Sequence, residues 1–247
     1  MTDPQTDPPV ARDAPLRFPL IMEEFTRSVV LPEQLDALLN LGWRHFGRHF
    51  FRYSLFLGEN RIHWVQPVRV NLPHLTLSTS QRRILRRNGD LTVSVGKPVA
   101  DAEHQDLFLR HRTRFATNVP ERLTDFLGDN LERYPCPMVE VAARRNGVLV
   151  AASYLDVGVT CASSVYALFD PAEARRSLGI ATMLWEIRHA ADRGCSHYHP
   201  GYAFHEPSEM DYKKQFAGSE WFDWQGNWRP LPRRVAGPTR RRGPARP

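Results

Sequence analysis

The sequence predicts an α+β protein centred on a mixed, largely antiparallel sheet, and three observations predict it. Strand-like runs at 138–142 and 148–156 flank Asn146-Gly147, the dipeptide of a tight hairpin turn. After a third strand at 163–169, Ile180, Met183, Leu184, Ile187, Ala190 and Ala191 recur at the spacing of one helix face, and Gly194 ends that helix. A further strand, 197–204, follows, and a strand reached through a helix joins its sheet by a crossover connection.

The other elements follow in chain order. Residues 1–15 are acidic and proline-rich and are expected to be disordered. Residues 32–41 place Leu35, Leu38 and Leu39 at helical spacing before Gly42, so a short amphipathic helix is expected. From 43 to 70 aromatic residues alternate with arginines and two or three strands are expected. Helices are expected at 80–88, 102–115 and 120–131, covering the sheet. Asp170, Pro171 and Glu173 have the form of an N-cap, a first-turn proline and a capping-box acid for the long helix. Three antiparallel strands, a helix opened by a glycine and one more strand make the core order of the GNAT acyltransferase fold. The expected organisation is therefore a smaller N-terminal region at 16–95, a GNAT-like catalytic domain at 96–231 and a basic disordered tail at 232–247.

Composition narrows the function classes. No run approaches the roughly 18 apolar residues of a membrane span, and the N-terminus lacks a charged start with an apolar stretch, so a cytoplasmic protein without a membrane partner is expected. Three scattered cysteines fit neither a disulfide framework nor a metal knuckle; Cys136, between two prolines, reads as a reactive thiol or a half-buried one. The net charge of +6 equals the six arginines of residues 233–247, so the remainder is neutral and the arrangement of its charges decides.

Two arrangements suit a phosphate-bearing ligand. In the run Arg176-Ser-Leu-Gly-Ile-Ala181, Arg176, Leu178 and Gly179 match the loop by which GNAT enzymes offer backbone N–H groups and a helix N-terminus to a phosphate. On a helix over 80–88, Arg82, Arg83, Arg86 and Arg87 fall within an arc of roughly 140°, opposite Ile84 and Leu85, as for an RNA backbone or a solvated face. Arg44, Arg48 and Arg52, interleaved with Phe46, Phe50, Phe51 and Tyr53, read either as cations and stacking surfaces for unpaired nucleotides or as part of a strand's aromatic core. His197 and His199 share a strand face, with His205 and Glu206 beyond, but no cysteine completes a zinc set and no metal is expected.

The run YALFDPAEARRSLG, the helix after it, Gly201-Tyr202, the M-x-Y-K-x-x-F at Met210, Tyr212, Lys213 and Phe216, and Trp228 resemble the C-terminal signature of the arginyl-tRNA–protein transferases and their bacterial leucyl-transferring relatives. Upstream, GWRHFGRHFFR and STSQRRILRRNGDL resemble that family's N-terminal half, so the resemblance extends from about Leu38 to Trp228. Two features depart from it. Members usually carry an N-terminal cysteine pair and a C-x-x-C associated with metal or iron–sulfur binding, whereas LRFPLIMEEF and SLFLGENRIHW hold no cysteine. HYHPGYAF also stands where the family tends to be more aromatic.

The resemblance implies transfer of arginine or leucine from charged tRNA to the N-terminal α-amine of an acceptor protein, marking it for degradation, with no small cofactor. An aminoacyl ester is already activated, so such an enzyme needs only to position the amine, remove its proton and stabilise the oxyanion. Tyr202, Tyr212 and Lys213, with the amides around Leu178 and Gly179, are the expected donors or contacts for the tRNA 3′ end, and Asp211 or Asp156 the expected base. Met210 and Phe216 are expected in the core. The alternatives are a CoA-dependent N-acetyltransferase and a non-catalytic RNA-binding relative.

Overall fold

The computed structural model describes residues 19–58, 61–115 and 120–232. The tails expected to be disordered, 1–15 and 232–247, lie outside these residues except for Pro232. In chain order the elements are β1 (Met22–Thr26), α1 (Pro32–Asn40), β2 (Arg44–Phe46), β3 (His49–Tyr53), β4 (Leu55–Leu57), β5 (Ile62–Asn71), α2 (Thr79–Arg87), β6 (Thr92–Gly96), α3 (Ala102–Arg112) and α4 (Thr124–Leu127). The second half supplies β7 (Met138–Arg145), β8 (Val148–Val157), β9 (Cys161–Phe169), α5 (Leu178–Asp192), β10 (His197–Phe204), β11 (Ser219–Phe222) and β12 (Trp228–Pro230).

Two sheets form. The small one has the order β1-β3-β2, and the large one β12-β11-β5-β10-β9-β8-β7-β6, with β4 also paired to β5. Every neighbour in the large sheet is antiparallel except β9 and β10, which α5 joins in parallel. This is the mixed, largely antiparallel, GNAT-like sheet that the strand order predicts. It also crosses the expected division after residue 95: β5 lies between β10 and β11, and β6 forms the far edge.

Local chemistry explains the hairpin and the core. Asn146 and Gly147 both adopt positive φ, at 51° and 84°, as the tight β7–β8 turn requires. All of β8 beyond Val148 is buried because its two faces meet different helices. Leu155 and Val157 pack with Met183, Leu184 and Ile187 of α5, whereas Ala152 and Tyr154 pack with Leu107 and Phe108 of α3. Phe216 is buried beside α5, while Met210 is only half-buried.

Several expectations need correction. The helix expected over 120–131 is reduced to the single turn of α4, because Gly128 at φ 79° turns the chain and bonds back to the Thr124 carbonyl. Asp170 does cap a helical stretch, accepting from the Ala172 amide, but that stretch is a 3₁₀ segment, Pro171–Arg176. Ser177, left-handed at φ 57°, separates it from α5, so the long helix starts at Leu178. Residues 44–71 hold four strands instead of two or three. The unanticipated β6 is a five-residue edge strand, exposed throughout; Val93 and Val95 alternate with Thr92 and Ser94, but over too few residues to stand apart from a loop.

Candidate active site

The site is built where two strands stop pairing. β9 and β10 run together only through His197–Cys161, Tyr198–Ala162 and His199–Ser163. The register of β10 against β5 shifts between Tyr198 and Gly201, and Gly201 takes φ 103°, a conformation that favours glycine. Space is also tight, since a Cβ there would stand 3.3 Å from Lys213 Nζ and 3.6 Å from Arg44 Nη2.

The opening between the strands is bridged. Arg44, from β2, donates to the Ser163 hydroxyl and the Ser164 carbonyl. Ser164 Oγ donates to Glu186 Oε1 at 3.2 Å, and the Tyr198 hydroxyl donates to the other oxygen of that carboxylate. Glu186 lies wholly buried on α5, and burial pushes its carboxyl up to about 7. Lys213, on the 3₁₀ turn Glu209–Lys214, donates to the Tyr202 carbonyl at 2.9 Å. Burial first, and the Arg44 charge second, push the Lys213 amine down to about 7. A crevice beside this cluster is lined by residues that include Gly42, Arg44, His199, Gly201, Tyr202 and Trp228, none of its lining residues being acidic.

The other expected site residues distribute as follows. The Tyr202 hydroxyl donates to the Gly42 carbonyl at 2.7 Å, tying β10 to the segment after α1, and burial raises its phenol. The half-buried Tyr212 packs against the α5 core cluster, and its phenol is likewise raised by burial. Asp211 pairs with Lys214 at 3.0 Å. Asp156 is buried and bonds His45 Nε2 at 2.6 Å. Arg48 is exposed and donates to Ser28, whereas Arg52 pairs with Glu23 and lies 4.9 Å over Trp43, so of the three interleaved arginines only Arg44 enters the cleft.

Around the α5 N-terminus, two features found separately in the sequence meet. Arg82, Arg83, Arg86 and Arg87 are all exposed, while Ile84 and Leu85 turn into the core. Asn88, the residue after α2, donates to the Arg176 carbonyl at 2.9 Å, Arg87 donates to the Arg175 carbonyl, and Arg176 reaches back to the Arg87 carbonyl at 3.1 Å. The arginine face and the glycine loop therefore form one surface. Within it Arg176 is held by Asp90 and Glu173, each at 2.7 Å. Leu178 is buried, and a Cβ on Gly179 would lie 3.1 Å from the Phe169 ring.

Sequence reasoning missed Glu186, a buried carboxylate bonded to Ser164 and Tyr198 beside the opening. On α5 it falls about 40° from Ala190, at the margin of the apolar face, a position that does not separate a buried acid from an exposed one. The histidines considered for zinc do not gather: His199 meets Trp228 edge-on, His205 meets Trp221, and Glu206 pairs with His63 at 3.4 Å. Burial raises the Cys136 thiol above its ordinary range, which disfavours a free thiolate there in the absence of a neighbouring cation.

Residues 103–223 match the family model described as "Arginine-tRNA-protein transferase, C terminus". An aspartate/glutamate leucyltransferase of Pseudomonas entomophila (strain L48) is 31% identical over 183 residues, covering 72% of this chain and 75% of that protein. One from Saccharophagus degradans is 30% identical over 202 residues, covering 76% and 79%. Among solved structures, that of FemX aligns with 82% of this chain and 70% of its own at a TM-score of 0.49 and 10% identity. At about 30% identity over three quarters of such relatives, this chain belongs to the arginine-tRNA–protein transferase family.

Proposed function

We propose that the protein transfers an aminoacyl group from charged tRNA to the N-terminal α-amine of an acceptor protein, with Arg44, Gly201 and Lys213 at the reaction centre. The observation that carries the reading is a lysine pushed down to about 7 beside a permanently charged arginine, both against a glycine with no side chain to block approach. The neutral acceptor amine attacks the ester carbonyl of the aminoacyl-adenosine. A tetrahedral oxyanion forms, and the Arg44 guanidinium stabilises it. Neutral Lys213 takes the proton released by the attacking nitrogen and delivers it to the departing ribose oxygen as the C–O bond breaks. The products are a new peptide bond and tRNA with a free hydroxyl. Because Arg44 bridges the opening, its guanidinium shifts from Ser163 and Ser164 onto the substrate as the ester enters. Tyr202 positions the strand that carries Gly201, and Tyr212 and Asp211 frame the turn that carries Lys213.

The arginines of α2, with the α5 N-terminal amides around Leu178 and Gly179, form the surface proposed for tRNA phosphates. Leucine is the proposed donor. A guanidinium side chain would meet Arg44 and Lys213 in a crevice whose lining residues offer no carboxylate, while leucine meets Leu39, Trp43, Val68 and Trp228. The acceptors proposed are proteins starting with Asp or Glu, as in the names of the relatives, and the setting is the cytoplasm, where the transfer would mark them for degradation. Among the described residues, no helix is long and apolar enough to cross a membrane.

The test crosses leucyl- and arginyl-tRNA, and separately acetyl-CoA, with peptides starting Asp, Glu or Ala. Leucine reaching the Asp and Glu peptides is expected. Acetylation of the peptides, or tRNA binding without transfer to any of them, would overturn the reading.

A further inference from the structure

Away from the cleft, three donors of different chemistry converge in the interior. His45 on β2, Cys136 before β7 and Asp156 on β8 offer a nitrogen, a sulfur and an oxygen that all lie within 4.8 Å of one another. All three side chains are buried, His45 at 4% exposure, Cys136 at 6% and Asp156 at 0%. His45 Nε2 stands 2.6 Å from Asp156 Oδ2 and 3.6 Å from Cys136 Sγ.

The donor on the far side of the ring fixes what Nε2 can do. His45 Nδ1 lies 2.8 Å from the Gly47 carbonyl, which only accepts, so Nδ1 carries a hydrogen. In the neutral ring, Nε2 then presents its lone pair toward a carboxylate oxygen. Something positive must lie between them. A proton would satisfy nitrogen and oxygen as a buried ion pair, with the sulfur only a weak partner of Nε2, whereas a metal cation uses all three atoms as ligands. A histidine whose second nitrogen donates to a backbone carbonyl is also the arrangement that orients imidazole toward a metal. The distance of 3.6 Å between nitrogen and sulfur suits two ligands on one tetrahedral centre, with bonds of about 2.0 and 2.3 Å. The 2.6 Å contact between nitrogen and oxygen would open as the metal enters.

We propose that His45, Cys136 and Asp156 form a site for one divalent cation of zinc type, with cobalt(II) as its spectroscopic substitute. A mixed nitrogen, sulfur and oxygen set matches a borderline ion such as zinc and not calcium or magnesium, which take oxygen alone. A fourth position falls to solvent or to Tyr134, whose ring lies 5.5 Å from that of His45. The ligands come from the small sheet, from the segment entering β7 and from β8, so the ion joins the small sheet to the large one. None of the three lies in LRFPLIMEEF or SLFLGENRIHW; the site is built from the chain's own core.

The untagged full-length chain, stripped with chelator and titrated with zinc and with cobalt(II), tests the site. One equivalent is expected to bind per chain and to raise the melting temperature. Cobalt is expected to show a thiolate charge-transfer band together with intense tetrahedral visible bands. Cys136→Ser should abolish the charge-transfer band, and Asp156→Asn should weaken binding at least tenfold. Absence of stoichiometric binding by the wild-type chain would overturn the proposal, as would a charge-transfer band that survives in Cys136→Ser. The wild-type titration decides even where a variant fails to fold.

Discussion

Lys213 and Glu186 are two ionisable side chains that burial moves toward the same pH from opposite directions. If neutral Lys213 receives the proton of the attacking amine, transfer should rise with pH through about 7, and Lys213→Met should lose about 10² to 10⁴ in kcat and flatten that limb. Pre-steady-state rates across pH check this; an unchanged acid limb in the variant would remove Lys213 from proton transfer. The same pair governs stability. Glu186 is raised from 4.5 to about 7, so the native state holds a proton that the unfolded chain has lost. Stability therefore falls as pH rises across that window, by roughly 3 kcal/mol if the whole shift is expressed. Lys213 is lowered from 10.5 to about 7, so there the unfolded chain binds the extra proton and stability climbs again above 7. Denaturant unfolding should show Glu186→Gln relieving the fall between 4.5 and about 7 while leaving the climb. A fall of the same size in the variant would assign it to other groups.

At the scale of elements, α2 and α1 carry separable duties. The exposed Arg83 and Arg86 project from α2 beside the α5 loop, while Ile84 and Leu85 hold the helix down. Replacing both arginines with glutamine should leave the fold intact and lower the salt slope of tRNA binding by about 1.5 if each meets one phosphate. Binding measured from low to moderate salt checks it, and an unchanged slope would place the RNA elsewhere. α1 is instead pinned by Asp36, whose carboxylate accepts from the Thr160 amide at 2.7 Å, its hydroxyl at 2.8 Å and the Cys161 amide at 3.0 Å. Asp36→Ala should cost about 3 kcal/mol, seen as a lower urea midpoint at unchanged slope, because it leaves buried donors unmet. These elements also show what a linear reading can reach. The α5 stripe, the Asn146-Gly147 turn and the arginine arc of α2 are periodic or local, so they stand in the sequence. Lys213 and Gly201 entered through the family motif. Arg44 and Ser163 are 119 positions apart and His45 and Asp156 111, and no spacing rule relates such pairs until the sheet is closed.

For the whole molecule the decisive feature is β5, an early strand placed between two late ones. It pairs with β10 along most of both strands and with β11 over Ser219–Trp221, and Val70 and Leu72 enter the same core cluster as α5. Arg44 of β2 reaches across to β9 in the same way. A chain cut to residues 96–232 would lose β5, leaving β10 and β11 with open edges, and would lose Val70, Leu72, Ile84 and Leu85 from the core. The GNAT-like portion is therefore not expected to fold alone, and the full chain should unfold as one unit. The full-length protein should show coincident urea transitions by far-ultraviolet circular dichroism and by the fluorescence of its six tryptophans, which include Trp43 near the small sheet and Trp185 on α5. The 96–232 fragment should show no sigmoidal transition. Two separated transitions in the full chain, with the second one reproduced by the fragment, would instead mean that residues 16–95 and 96–231 are independent domains and that β5 merely docks on a sheet already formed.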